Sequence, residues 1–181
     1  MSKTEQKKIG LLGGSFNPAH EGHLHISKIA LKKLKLDEIW WLVSPQNPLK
    51  PAKDMAPLSS RLKSAQDIIA KSKKYAGRII ASDIERKLAT VYTADTLQQL
   101  KKKFPDTEFF WLMGADNLIQ LPQWKNWEHI PSMVNIHVFD RDKLYKQAMI
   151  CEAYLKFRDK ITYHKIRKNP LSSSKIRLIS K

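Results

Sequence analysis

The chain has 181 residues, 33 Lys+Arg against 17 Asp+Glu, and a formal net charge of +16. That length suits one domain with one solid core, and 42% hydrophobic with 28% charged residues excludes wholesale disorder. A single cysteine, Cys151, excludes an intrachain disulfide framework and a Cys-rich zinc site, and no apolar run approaches the ~20 residues of a membrane helix.

The polar N-terminus, Met1 to Lys8, lacks the apolar stretch of a signal peptide, so the expected location is the cytoplasm. The positive charge points to anionic partners, namely nucleotides, nucleic acid or acidic lipid. It is uneven. Residues 141–181 carry twelve Lys/Arg and three Asp/Glu, which is +9 of the +16. The plainer reading of these lysines is a solvated basic surface.

In chain order, short β-like runs alternate with helical patterns. Residues 9–12 read as a buried strand, and 22–35 as a helix with Leu24, Ala30, Leu31 and Leu34 inward. Residues 39–43 form a second strand that runs into a loop containing Pro45, Pro48, Pro51 and Pro57. The spacing of Leu58, Leu62, Ala65, Ile68 and Ile69 predicts a helix over 58–72, with Ser59 or Ser60 as its cap. A strand over 78–81 precedes a helix over 94–103 with Thr93 as N-cap. A strand over 109–113 is broken by Gly114, and 134–139 is a further strand. Residues 143–156 are helix-prone, 161–164 a last strand, and 172–181 a capped terminal helix.

This alternation predicts an α/β chain with a Rossmann-like, doubly wound, mostly parallel sheet. Helices would cover both faces, with a small C-terminal helical extension. Residues 1–181 read as one domain, with room for a small C-terminal subdomain from about residue 141. In such sheets ligands sit beyond the carboxyl ends of the strands, at a topological switch point.

Four of six glycines and three of six histidines fall between residues 10 and 25. The stretch Gly13-Gly14-Ser15-Phe16-Asn17-Pro18-Ala19-His20-Glu21-Gly22-His23 ends a strand and opens a helix. Its glycines permit close backbone approach, and a helix start with free N–H groups is a phosphate site. The spacing fits neither the dinucleotide fingerprint nor the P-loop, and the histidines stand three apart, not four as in zinc proteases. The bland alternative is a glycine turn with incidental histidines.

The stretch resembles the G-x-F-x-P-x-H-x-G-H signature of the nucleotidylyltransferase superfamily. Within that superfamily the chain resembles the bacterial nicotinate-nucleotide adenylyltransferases. The likeness extends through residues 92–97 (YTADTL), 114–118 (GADNL), 121–124 (LPQW) and 171–177 (LSSSKIR). It implies attack of the nicotinate mononucleotide phosphate on the α-phosphorus of ATP, giving deamido-NAD and pyrophosphate. A phosphate monoester with a second pKa of about 6 is largely dianionic at neutral pH and needs no general base. Alignment and charge neutralisation remain for the protein.

The resemblance makes His20 and His23 catalytic, stabilising ATP phosphates, while His25 is structural. It places Gly13, Gly14, Ser15, Phe16, Lys50, Gly114, Asp116, Ser173, Ser174 and Arg177 around ATP. Asp116 would bond the ribose, although a helix cap is its plainer role. Serines 172–174 alone would read as an ordinary N-cap. Trp124 would stack on the pyridine ring, against a plain core-packing alternative, in what reads as an exposed loop. Main-chain amides near Thr93 and Lys125 would receive the acceptor carboxylate. Such donors suit an acid and offer little to an amide.

One segment departs from the family pattern. Where the family often has Pro-Pro-His-Lys, this chain has Asn47-Pro48-Leu49-Lys50, so that histidine's role is absent. Arg61 reads either as a support for this loop or as an exposed structural arginine. No protein metal cage is visible, and Mg²⁺ would be held chiefly by the ATP phosphates. Competing readings are a nucleotidylyltransferase with phosphopantetheine or glycerol phosphate as acceptor, and a basic nucleic-acid-binding module. The expected partners are ATP and nicotinate mononucleotide, without specific nucleic acid or membrane; a homo-oligomer is compatible.

Overall fold

The structure, a computed structural model, describes residues 6–46, 53, 55–140 and 144–166. Six parallel strands form one sheet in the order β3-β2-β1-β4-β5-β6. These are β1 (Lys7–Gly14), β2 (Glu38–Val43), β3 (Ile79–Ser82), β4 (Thr107–Gly114), β5 (Asn135–Asp140) and β6 (Ile161–Lys165). This is the doubly wound order, in which the chain reverses its direction of growth between β1 and β4. The central strands are apolar without alternation because both of their faces are covered.

Two hydrophobic cores lie on the two faces. One gathers Leu12, Phe16, Leu24, Ala30, Trp41, Ala65 and Leu112 beneath α1 (Glu21–Lys33) and α2 (Leu58–Ala70). The other gathers Leu97, Trp111, Leu118, Trp127, Ile136 and Ala148. It lies under α4 (Thr93–Lys103), α5 (Ala115–Gln120), α6 (Ile130–Met133), α7 (Tyr145–Ile150) and α8 (Glu152–Phe157). A short helix, α3 (Ile84–Lys87), follows β3. Gly10 lets the side chains of the α1–α2 core close over the middle of β1. A Cβ there would lie 2.8 Å from the Leu36 side chain and 2.9 Å from that of Leu112.

Several local expectations are corrected. Thr93 is the first residue of α4 rather than its N-cap; Tyr92 takes that place with an extended backbone. Ser59 and Ser60 lie inside α2, whose N-cap is Pro57, and neither caps it. Gly114 is still paired with Phe139 as the last residue of β4, and it also serves as N-cap of α5. The helical stretch over 143–156 is divided at Cys151, whose extended backbone separates α7 from α8. The Cys151 thiol meets the Ala148 carbonyl at 3.1 Å, and Leu155 N–H bonds the Cys151 carbonyl at 3.0 Å, so the break is satisfied on both sides. Both helices lead into β6, which pairs with β5 within the main sheet. The expected terminal helix over 172–181 lies outside the described residues.

Candidate active site

The carboxyl ends of β1 and β4 meet at the switch point, and the glycine–histidine stretch begins there. Gly13 has a packing reason to be glycine: a Cβ would lie 2.7 Å from the Trp111 indole. Phe16 adopts a left-handed backbone, with φ of 47°. This turn drives its ring under the surface, where it is 2% exposed and stacks on Trp41 at 5.2 Å. Ser15 keeps its hydroxyl shielded from solvent and without a hydrogen-bond partner among the described residues.

His20 and His23 open α1, and their rings stand 3.9 Å apart. His20 is the N-cap and is 3% exposed. Its Nδ1 accepts the Gly22 N–H at 3.0 Å, while Nδ1 of His23 accepts the His20 N–H at 3.2 Å. The sequence suggests bare amides at this helix start; instead the two imidazoles cap it. With both Nδ1 atoms accepting, the proton of each neutral ring sits on Nε2, so both rings are oriented as Nε2–H donors. Phe16 supports His23 from below at 4.6 Å, and Trp41 lies 5.7 Å from it. His25 points elsewhere, and its Nε2 is buried without a partner among the described residues.

Arg61 is a buried clamp, not an exposed arginine. It is 2% exposed. Its guanidinium donates to the carbonyls of Ser15 (2.7 Å), Ser44 (2.7 Å), Pro45 (3.0 Å) and Ala56 (2.8 Å). One planar fork thus ties the β1 turn to the segment after β2 and to the entry of α2. Burial lowers its pKa from the usual arginine value, yet a guanidinium stays protonated.

On the other face, α4 begins at Thr93 with no side chain capping it among the described residues. Its first-turn amides are therefore suited to an anion. Trp124 is half-buried rather than freely exposed, packing edge-on against Trp111 at 6.2 Å. Lys125 is exposed and sets its ammonium 4.4 Å from the centre of the Tyr92 ring. Sequence reasoning missed this cation–π contact, which links the 124–126 turn to the start of α4. Asp116 is exposed in the first turn of α5, just beyond Gly114 and the carboxyl end of β4.

Lys50, Ser173, Ser174 and Arg177, with Asn47 and Leu49, lie outside the described residues. Among the described residues, no three His, Cys, Asp or Glu side chains gather as a metal site, and no helix is long and apolar enough to cross a membrane. The arrangement offers two oriented imidazoles at the start of α1 on one face of the sheet, and the uncapped start of α4 on the other.

The chain matches the cytidylyltransferase-like family over residues 11–179. It is 51% identical over 152 residues to a Parvibaculum lavamentivorans protein named "Probable nicotinate-nucleotide adenylyltransferase", covering 84% of this chain and 73% of that one. A Gluconobacter oxydans protein of the same name is 52% identical over 134 residues, covering 74% of this chain and 66% of its own length. A Plasmodium falciparum nicotinic acid mononucleotide adenylyltransferase, solved in complex with NaAD, superposes with a TM-score of 0.79. At 24% identity over 95% of this chain and 83% of that one, it shows the fold. By the family match and by relatives at about half identity, the chain belongs to the nicotinate-nucleotide adenylyltransferases of the cytidylyltransferase-like family.

Proposed function

We propose that the protein transfers the adenylyl group of ATP to nicotinate mononucleotide, forming deamido-NAD and pyrophosphate. The observation that carries this reading is the pair of adjacent imidazoles, tilted by 37° and each held at Nδ1 by a backbone N–H, at the switch point of the sheet. Their Nε2–H groups bond ATP phosphate oxygens and stabilise the charge that builds as the acceptor attacks the α-phosphorus. The acceptor phosphate supplies its own nucleophile, so no side chain removes a proton. ATP enters as its Mg²⁺ complex, the metal held chiefly by the phosphates.

Gly13, Gly14 and Ser15 line the phosphate side, with Phe16 acting beneath them as a support for His23. Lys50, Ser173, Ser174 and Arg177 add positive charge and hydroxyls around the triphosphate, while Asp116 and Gly114 meet the nucleoside. The Thr93 and Lys125 amides receive the nicotinate carboxylate, and Trp124 stacks on the pyridine ring. An amide acceptor leaves these donors poorly matched, which selects the acid. A cytoplasmic location is the one that suits this biosynthetic role.

The test compares pyrophosphate release from MgATP with nicotinate mononucleotide, nicotinamide mononucleotide, phosphopantetheine and glycerol phosphate. Release with the first, at least tenfold above the others, is expected. Release with phosphopantetheine or glycerol phosphate alone overturns the acceptor assignment. Steeply salt-dependent RNA binding with no release would identify a nucleic-acid module instead.

A further inference from the structure

Glu85, in α3, is a carboxyl that the reaction does not use, and it is 5% exposed. Its Oε2 has no hydrogen-bond partner among the described residues. Its other oxygen, Oε1, lies 3.3 Å from the Thr96 hydroxyl, one turn into α4. That hydroxyl is also 2.9 Å from Thr90 Oγ1 and 3.2 Å from the Tyr92 carbonyl. The main chain joins the same knot, with Thr90 N–H bonded to the Glu85 carbonyl at 2.9 Å and Thr96 N–H to the Tyr92 carbonyl at 3.0 Å. Tyr92 immediately precedes Thr93 and carries the ring under Lys125.

We propose that Glu85 is a positioning residue for the acceptor side of the site, holding the start of α4, and with it the Thr93 amide, through Thr96 and Thr90. This rests on the assignment of the nicotinate carboxylate to that amide.

Proton counting defines the form that does this. A threonine hydroxyl has one proton and two lone pairs. The Tyr92 carbonyl can only accept, so Thr96 donates to it, and Thr96 then accepts from Thr90 and from Glu85. All three contacts are made together only when Glu85 carries a proton on Oε1. An ionised Glu85 competes with Tyr92 for the single Thr96 proton and loosens the turn. Burial pushes Glu85 up to about 7. The charged groups on the surrounding elements are Asp83, Arg86 and Lys87 at α3, Asp95 on α4 and Lys125 beside Tyr92. Asp83 is itself paired with Arg86 at 2.6 Å and Lys87 at 3.2 Å. An ionised Glu85 also places negative charge beside the first turn of α4, 3.3 Å from the Thr96 hydroxyl, so both effects have the same sign.

The experiment measures KM for nicotinate mononucleotide and for MgATP from pH 6 to 8.5 in the wild type, Glu85→Gln and Glu85→Ala. Glutamine supplies a neutral donor in place of the protonated acid. In the wild type the acceptor KM rises about fivefold across pH 7 relative to Glu85→Gln, on the scale of one hydrogen bond. The KM for MgATP runs parallel in the two proteins. Glu85→Ala raises the acceptor KM about tenfold at pH 6.5 while leaving that for MgATP within about twofold, and Glu85→Gln restores the acceptor KM. Superimposable wild-type and Glu85→Gln profiles, or equal shifts in both substrates, overturn the inference. If Glu85→Ala does not fold, the comparison with Glu85→Gln decides alone. A wild type that forms no deamido-NAD at any pH refutes the acceptor assignment, and this inference with it.

Discussion

The hydroxyl of Ser27 accepts the Trp41 indole N–H at 2.8 Å and donates its own proton to the His23 carbonyl at 2.8 Å. Ser27 therefore fixes both the aromatic floor of the site and the backbone of one of its two imidazoles. Ser27→Ala leaves the buried indole N–H unpaired, at a cost of about 1–3 kcal/mol. Chemical denaturation should show that loss, together with a drop in kcat of about tenfold or less, since no group proposed to contact ATP is removed. Full stability in this variant would contradict the role given to Ser27.

His20 caps α1 and, in the proposed reaction, contacts ATP, and the two duties separate by mutation. His20→Ala loses about 1 kcal/mol of stability and about two to three powers of ten in kcat. His20→Asn keeps an N-cap acceptor but has nothing at the Nε2 position. It should melt near the wild type while remaining as slow as His20→Ala. His23→Ala should lose turnover on the same scale.

Removing the Arg61 clamp acts on two segments at once. An ammonium presents no planar fork and cannot reach four carbonyls in the same geometry. Arg61→Lys should destabilise by about 2–3 kcal/mol through unpaired buried acceptors. Because Ser15 is among the partners, the KM for MgATP should rise more than the KM for the acceptor. Equal KM values in variant and wild type would show that the clamp serves folding alone.

Two buried groups give opposite pH dependences of stability. Glu85 is raised to about 7. Between about 4.5 and 7 the unfolded chain has lost this proton while the native one keeps it, so the contribution falls as pH rises. His137 sits 2.9 Å from His164, ring nitrogen to ring nitrogen, and burial with the His164 charge lowers it to about 4. Below about 6.5 the unfolded chain gains a proton that the native one refuses, so this contribution falls as pH falls. Each effect is on the order of 2–3 kcal/mol. Melting curves should show Glu85→Gln gaining on the wild type from pH 4.5 to 7, and His137→Leu gaining from pH 6.5 down to 4. A constant offset in either comparison would rule out that group as the cause.

The fold was largely legible from the alternation of apolar runs with helical spacing, because central parallel strands and long amphipathic helices leave strong patterns. All six strands were located, β1, β2, β4 and β6 short of their full length and β3 and β5 one residue early. What escaped notice were α3, α5 and α6, of four to six residues, too short for a period of 3.6 to register. Thr93 was misplaced by one residue because propensity favours threonine at an N-cap, whereas the Tyr92 backbone takes the extended conformation there. The histidines were legible as a motif. Their tautomer was not, since it depends on which N–H each Nδ1 meets. Arg61 was read only as one of two alternatives, a loop support or an exposed arginine, and Glu85 was not singled out, for one shared reason. A charged residue on a helix reads as surface until the chain closes over it, and what it binds is distant backbone or a neighbouring turn.

The two hydrophobic cores divide the site as well as the sheet. Phe16, Ala19 and Trp41, which carry the imidazole pair, belong to the α1 and α2 core. Ala94, Trp111 and Leu118, with Trp124 against them, belong to the other. In the proposed reading the triphosphate end and the acceptor end therefore stand on separate foundations, and Gly13 is one place where they approach, a Cβ there lying 2.7 Å from the Trp111 indole. Such a layout is evolvable: the acceptor half can drift toward a new partner molecule while the adenylyl-transfer half goes on working unchanged.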